Sequence, residues 1–330
     1  MIANAGAAVL PVVLFLTALY IMDSFKLVPR RTVLSAVAYG GASALAIVAL
    51  HGWLPLERLS PETVNRYVAP LTEETAKALL VAALVLTHRV GFLVDALVVG
   101  FAVGTGFALV ENAVYLSTID APLVLWFSRG LGTAMLHGAT TGIFGMIFKT
   151  MIDRRRPLAL ALAAPLAAAV IIHAGFNHTW LPPVIQATVM VLLLPLLVLL
   201  VFERSEGATR EWIGGGLDLD VVLLELVRSE HFIHTRFGQY LIELRSRFPG
   251  AVVADMFCLL RLDLELSAQA KGLLMARSAG LALPADEELR AALDERSRLH
   301  RSIGRTGLLA LEPLQVTSGR DHWHRHLLRQ

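Results

Sequence analysis

The 330-residue chain is 55% hydrophobic and only 17% charged, with a mean hydropathy of +0.62, whereas soluble globular domains hold about 45–50% apolar and about 25% charged residues. A formal net charge of +2 makes no electrostatic case for nucleic acid or for a strongly acidic partner. The sole cysteine, Cys258, excludes an internal disulfide and a cysteine-ligated metal site.

The apolar excess is confined to residues 1–202, and ordinary amphipathic sequence begins at Glu203. This predicts an all-α fold: a polytopic transmembrane bundle over 1–202, a linker over 203–217, and a soluble helical domain over 218–330 with a mobile C-terminal tail. A hydrocarbon layer about 30 Å thick needs roughly 20 apolar residues per crossing helix. Seven stretches qualify: residues 3–22, 33–51, 71–87, 92–117, 127–150, 158–180 and 183–202. The first has no Lys or Arg before it and exceeds a signal-peptide core in length, so it is read as a retained span. The third carries Glu73, Glu74 and Lys77 and is the least apolar; only Pro182-Pro183 separates the last two.

Lys26, Arg30 and Arg31 follow the first span, Arg89 the third, Lys149 and Arg154–Arg156 the fifth, and Arg204 the seventh. Apart from Arg58 and Arg66, the opposite loops lack positive charge. The positive-inside rule places the N-terminus outside and the C-terminal domain in the cytoplasm of a cell inner membrane. Gly100-x-x-x-Gly104 and Gly138-x-x-x-Gly142 mark the fourth and fifth spans as helices able to pack closely, since small residues let backbones approach in lipid.

Ionisable groups inside a membrane are costly and need partners or a function. In Glu73-Glu74-x-x-Lys77, Lys77 is four residues from Glu73 and three from Glu74, so either carboxylate can pair with it; the plain alternative is an ion pair at the membrane boundary. Glu111, in Phe107-x-x-x-Glu111, has no nearby cation in sequence and must be protonated, hydrogen-bonded across helices or bound to a metal. A lone His137 is as readily a packing residue as a ligand. His173 and Asn177, four apart, share one helix face, whereas His178 is turned away and reads as interfacial.

The inferred topology places Glu73, Glu111, His137 and His173 about 3–15 Å inside the outer boundary at 1.5 Å per residue, a shared depth that suggests one site. A carboxylate base with His and Asn donors to a developing oxyanion could hydrolyse an amide; two His and a Glu could instead bind Zn²⁺. The common His-Glu-x-x-His zinc signature is absent.

In this order, Glu73-Glu74-x-x-Lys77, Phe107-x-x-x-Glu111, His137 and His173-x-x-x-Asn177 resemble the PrsW-type intramembrane proteases, a family grouped with the type II CAAX prenyl proteases and the bacterial Abi proteins. The resemblance spans about residues 70–180. It implies cleavage of membrane-embedded proteins, including anti-sigma factors. It implies further that Glu73 is the general base, that Glu74 pairs with Lys77, and that His173 and Asn177 stabilise the oxyanion. Glu111 and His137 complete the site, with Glu111, His137 and His173 as the implied Zn²⁺ ligands if the enzyme is a metalloprotease. The competing readings are a proton-coupled transporter, which the lack of an internal repeat disfavours, and a non-catalytic membrane sensor.

Beyond the membrane domain, 218–228, 231–248, 252–279 and 284–303 have helical apolar spacing, which suggests a regulatory domain with a cytoplasmic partner. Gly214-Gly215-Gly216 reads as a hinge before it. His322, His324 and His326 lie among arginines and read as a solvated tail.

Overall fold

The computed structural model describes residues 2–23, 28–278, 281 and 287–314. Its described residues divide into two compact units, Met1–Glu206 and Gly207–Gln330, and every regular element among them is helical.

The membrane unit is built from α1 (Ile2–Met22), α2 (Arg30–Trp53), α3 (Ala69–Leu86), α4 (Leu93–Thr118), α5 (Leu123–Asp153), α6 (Leu158–Asn177) and the start of α7 (Pro183–Arg228). Among the described residues, six helices are long and apolar enough to cross a membrane, α7 contributing Pro183–Ser205. The expected third span is the exception. It forms a helix of 18 residues, but Glu73, Glu74 and Lys77 put it outside that apolar class. The seven-span reading therefore becomes six apolar crossings plus one charged helix.

The centre of the unit is α4. Leu97, Val98, Val99, Phe101, Ala102 and Val103 are fully buried, as expected of a helix that is apolar on every side. Its glycines explain how close the neighbours come. A Cβ on Gly104 would lie 2.1 Å from the His137 carbonyl oxygen, and one on Gly100 2.5 Å from that of Thr141. On the other side, a Cβ on Gly106 would meet the Val37 carbonyl at 1.9 Å. The backbones of α2, α4 and α5 thus touch, which is how His137 reaches Glu111.

Two helices are locally underwound. Val64–Val68 and Arg129–Thr133 are π-turns at the entrances to α3 and within α5; such turns often sit at functional sites because they re-aim side chains. Before α3, Ser60 caps the short Pro61–Thr63 turn by accepting the Thr63 N–H at 3.2 Å. At the far end of the bundle, buried Asp95 accepts the Gly91 and Phe92 N–H groups at 3.0 and 2.9 Å, satisfying donors at the start of α4. Lys149, counted in sequence as a loop charge, lies inside α5 and pairs with Asp153 at 2.5 Å.

The second unit comprises the end of α7, α8 (Arg236–Leu244), α9 (Gly250–Ser278) and α10 (Glu287–Leu311). Its core includes Phe232, Leu241, Met256, Leu259, Leu299 and Leu311. Where the sequence suggested helix from His231, residues Glu230–His234 form a 3₁₀ turn. The α-helix starts only after Thr235, whose hydroxyl caps it by accepting the Gly238 N–H at 3.1 Å. The expected Gly214–Gly216 hinge is instead helical, within α7, with the Gly216 carbonyl accepting from buried Lys271 at 3.0 Å. α10 is kinked at Gly304, whose φ of +68° is one glycine adopts without steric cost. The triple-histidine tail lies outside the described residues.

Gly104→Ala should force α4 and α5 apart at His137, because a backbone carbonyl cannot rotate out of the way. Overpacking of this kind costs about 1–3 kcal/mol, or roughly a 3–10 °C fall in Tm for a unit of this size. Gly52→Ala, with nothing within 4 Å of its new methyl, is the control and should not lower the Tm in detergent, since alanine favours the helix over glycine.

Candidate active site

Helices α3, α4, α5 and α6 bring six of the seven sequence-selected side chains into one connected cluster. Spacing left open which carboxylate pairs with Lys77, and the family resemblance implied Glu74. The structure chooses Glu74, whose Oε1 lies 2.6 Å from Lys77 Nζ. That oxygen also accepts from Thr140 Oγ1 at 3.1 Å and meets His173 Nδ1 at 2.7 Å. Glu74 and Lys77 are 2% and 0% exposed, so this is an interior ion pair and not one at the membrane boundary. Lys77 also sits 4.9 Å over the Phe107 ring, a favourable place for a cation.

The hydrogen positions on both imidazoles follow from their partners. Lys77 has only hydrogens to offer. His137 Nδ1, 3.0 Å from Lys77 Nζ, must therefore present its lone pair, which leaves the ring hydrogen on Nε2, 3.0 Å from Glu111 Oε2. Glu74, charged by its pairing with Lys77, can only accept. His173 Nδ1 thus carries the hydrogen, and in the neutral ring Nε2 is left with a lone pair. Each histidine is oriented by its own carboxylate, one through Nε2 and the other through Nδ1. The two rings meet edge to face, with centroids 5.0 Å apart.

Glu73 is the odd member. Its Oε2 is buried and has no hydrogen-bond partner among the described residues. It lies 4.0 Å from His137 Nδ1 and 3.9 Å from His173 Nε2, the two ring nitrogens that carry no hydrogen. One ligand atom from each of Glu73, His137 and His173 lies within 4.8 Å of the others, and the group could hold a metal ion. The separations of 3.9 and 4.0 Å are within the span of two zinc–ligand bonds of about 2.0–2.2 Å each. The orphaned oxygen and the chemistry of the donor set both fit a divalent ion. One feature competes with it: Lys77 already occupies His137 Nδ1.

This group differs from the expected ligand set of Glu111, His137 and His173. Glu111 approaches His137 from the opposite nitrogen, and the carboxylate of the group that could hold a metal is that of Glu73. Glu111 instead receives His137 Nε2–H and lies 3.3 Å from Arg129 Nη2. Of the fates open to it, an interhelical hydrogen bond is the one observed. The two roles implied for His173 also separate, because Nδ1–H is committed to Glu74 and a ring that offers its Nε2 lone pair to a cation has no hydrogen left for an oxyanion. Asn177 stays outside the cluster: its Nδ2 donates to the Asn65 carbonyl at 2.9 Å. His178 is occupied at the rim by Tyr67, 3.1 Å away.

Two participants went unrecognised in the sequence. Arg129 sits in the π-turn of α5, with Nε 3.0 Å from Asn112 Oδ1 and its guanidinium 3.9 Å over the Tyr115 ring. Its position at the mouth of a span was the available signal. Thr140, which completes the Glu74 carboxylate, gives none, since threonine is ordinary in membrane helices. The cluster opens onto a cavity of about 780 Å³ whose lining includes Glu73, Glu111, Arg129, His173 and Asn177 on one side and Ala44, Ile47 and Val110 on another. Its volume is in the range of ligand pockets, about 300–1,000 Å³.

Comparison with curated proteins and with solved structures gives no match. A family model does match, that of the PrsW family intramembrane metalloproteases, over residues 28–202, a stretch that contains every residue of the cluster. Interior carboxylates and imidazoles around a cavity in a multi-pass helical bundle are what hydrolysis inside a membrane requires, and the chain belongs to the PrsW family of intramembrane metalloproteases.

Proposed function

We propose that Glu73, His137 and His173 hold a divalent ion, with zinc the best match to an N₂O set, and that the adjoining cavity cleaves peptide bonds of membrane-embedded protein substrates. The observation that carries this reading is the orphaned, buried Glu73 Oε2 between two imidazole lone pairs. An ion held there supplies positive charge that polarises a carbonyl and makes water more acidic. The chain supplies the rest. Glu74 and Glu111 each fix one imidazole by accepting its N–H, the arrangement that orients histidine ligands and raises their basicity. Lys77 balances the charge of Glu74.

Glu111, at the cavity wall with side-chain exposure of 24%, is the carboxylate placed to take a proton from water. Arg129 Nη2 lies 3.3 Å from that carboxylate and steadies it at the cavity wall. Asn177 has a second amide hydrogen beyond the one given to Asn65, available to a carbonyl oxygen that gains charge. The apolar wall from α2 and α4 suits side chains of a membrane segment. That segment must unwind locally, because in an intact helix each scissile carbonyl is already hydrogen-bonded.

A membrane-anchored regulator of the anti-sigma type is the substrate class this activity suits, with the cut near the outer face and the second unit, residues 218–330, as a cytoplasmic regulatory or partner-binding domain. That orientation follows from the positive charges after α1, α3 and α5.

Three outcomes test these assignments. With purified protein in detergent and a model transmembrane substrate, Glu73→Gln and His173→Ala should abolish both cleavage and stoichiometric zinc, whereas Glu111→Gln should keep most zinc but slow cleavage by about 10–100-fold or more. Chelation should stop wild-type cleavage and added Zn²⁺ should restore it. Full activity in zinc-free protein would assign catalysis to Glu73 as a base acting alone, a reading that the Lys77–His137 contact favours. For orientation, Cys258 is exposed and unique. A membrane-impermeant maleimide should label it in inverted vesicles and not in intact cells; the opposite pattern reverses the topology.

A further inference from the structure

The contact between Lys77 and His137 is more than a neutralising pair. Lys77 Nζ lies 3.0 Å from His137 Nδ1, and Nδ1 is the nitrogen that faces Glu73. The other nitrogen is committed to Glu111 at 3.0 Å. A single imidazole lone pair cannot serve an ammonium hydrogen and a metal ion together. We propose that Lys77 is a resident competitor for the metal, a positioning residue whose ammonium stands on His137 Nδ1 in the ion-free site and must leave it when the ion binds. This inference rests on the metal reading of the same site.

The surroundings permit such an exchange. Lys77 keeps Glu74 at 2.6 Å and the Phe107 ring at 4.9 Å when it gives up His137; it loses one of three interactions and is not left stranded in an apolar interior. The flexible four-carbon stem of lysine lets Nζ shift while the helix stays still. Glu74 holds Lys77 and the His173 ring on the same oxygen, so a shift of Nζ away from His137 leaves the His173 ring anchored. Thr140 is the third donor to that oxygen and need not move.

The exchange has a consequence for stability. Classical zinc fingers unfold without their metal because nothing replaces it. Here an internal cation stands in, so the ion-free chain keeps His137 satisfied and the bundle stays assembled. Metal affinity is correspondingly lower than the ligand set alone would give, since binding must displace an ammonium already in place.

The test uses full-length protein in detergent, stripped by chelation and titrated with Zn²⁺ against a competing chelator. Lys77→Met, which keeps an unbranched side chain of nearly the same length but has neither charge nor donor, should bind Zn²⁺ at least about tenfold more tightly than wild type at one ion per chain. The gap in Tm between loaded and stripped protein should widen in the same variant. Removing a positive charge beside Glu74 also favours a bound dication by itself, so the position of Nζ in the loaded wild type is the measurement that separates displacement from charge. A second measurement requires no variant: in a crystal structure of Zn²⁺-loaded wild type, Lys77 Nζ should stand beyond 3.5 Å from His137 Nδ1. Lys77→Met binding no more tightly than wild type, or Nζ still on Nδ1 with the ion bound, overturns this proposal alone, provided Glu73→Gln still abolishes binding. If neither wild type nor Lys77→Met binds Zn²⁺, the metal reading falls and this one with it.

Discussion

One carboxylate oxygen organises this membrane unit. Glu74 Oε1 gathers Lys77 from its own helix, Thr140 from α5 and His173 from α6. A buried charge is tolerable only when paired and hydrogen-bonded, and removing one partner of such a pair costs about 3–5 kcal/mol because the other charge is then stranded. Desolvation therefore makes the cluster close to all-or-none. Each of the three helices must keep its rotation about its own axis for the oxygen to be satisfied, and those rotations aim Glu73 and the two imidazoles at one another.

The three carboxylates and two imidazoles divide their work by surroundings rather than by residue type. Glu74 and Glu111 each accept an imidazole hydrogen, yet Glu74 is sealed in the interior while Glu111 meets the cavity and Arg129. Glu73 is next to Glu74 in sequence but one helical step around the axis, and that step moves it from three donors to none. The glycine contact between α4 and α5 supplies the other coordinate. Without a Cβ at Gly104 the two backbones close to a distance at which Glu111 reaches the far nitrogen of His137. Geometry along the bilayer normal comes from helix register, and geometry across it from the small residues.

Much of this was readable from the chain because the bilayer imposes strong rules. Apolar runs fixed the crossings to within a few residues, and rare ionisable residues inside them pointed to Glu73, Glu74, Lys77, Glu111, His137 and His173. Spacing could not say which of Glu73 and Glu74 takes Lys77, since three and four residues are equally good on a helix. It also could not tell which face of His137 a carboxylate would approach, which is why Glu111 was expected among the ligands. The π-turn that carries Arg129 has no compositional mark, so its part in the cluster went unrecognised. The Gly214–Gly216 run was misjudged for the converse reason. Three glycines lower helix propensity by about 1 kcal/mol each relative to alanine, but propensity is a weak prior and the helix runs through them.

The status of α3 shows why an average over residues misleads in such a protein. Its mean hydropathy suffers from three charges, and by composition it is not a membrane span. Its outer face tells a different story: Leu71, Leu79 and Leu86 are exposed at 53%, 62% and 43%, while Glu74 and Lys77 are 2% and 0% exposed. The helix is amphipathic in the inverted sense, apolar outward and charged inward, which is the pattern that lipid rather than water selects. Hydropathy summed around the axis cancels the very contrast that matters. The same inversion lets ionisable groups lie inside such a bundle: lipid meets leucine, most of the charges meet one another, and Glu73 Oε2 is left as a buried carboxylate oxygen without a hydrogen-bond partner among the described residues.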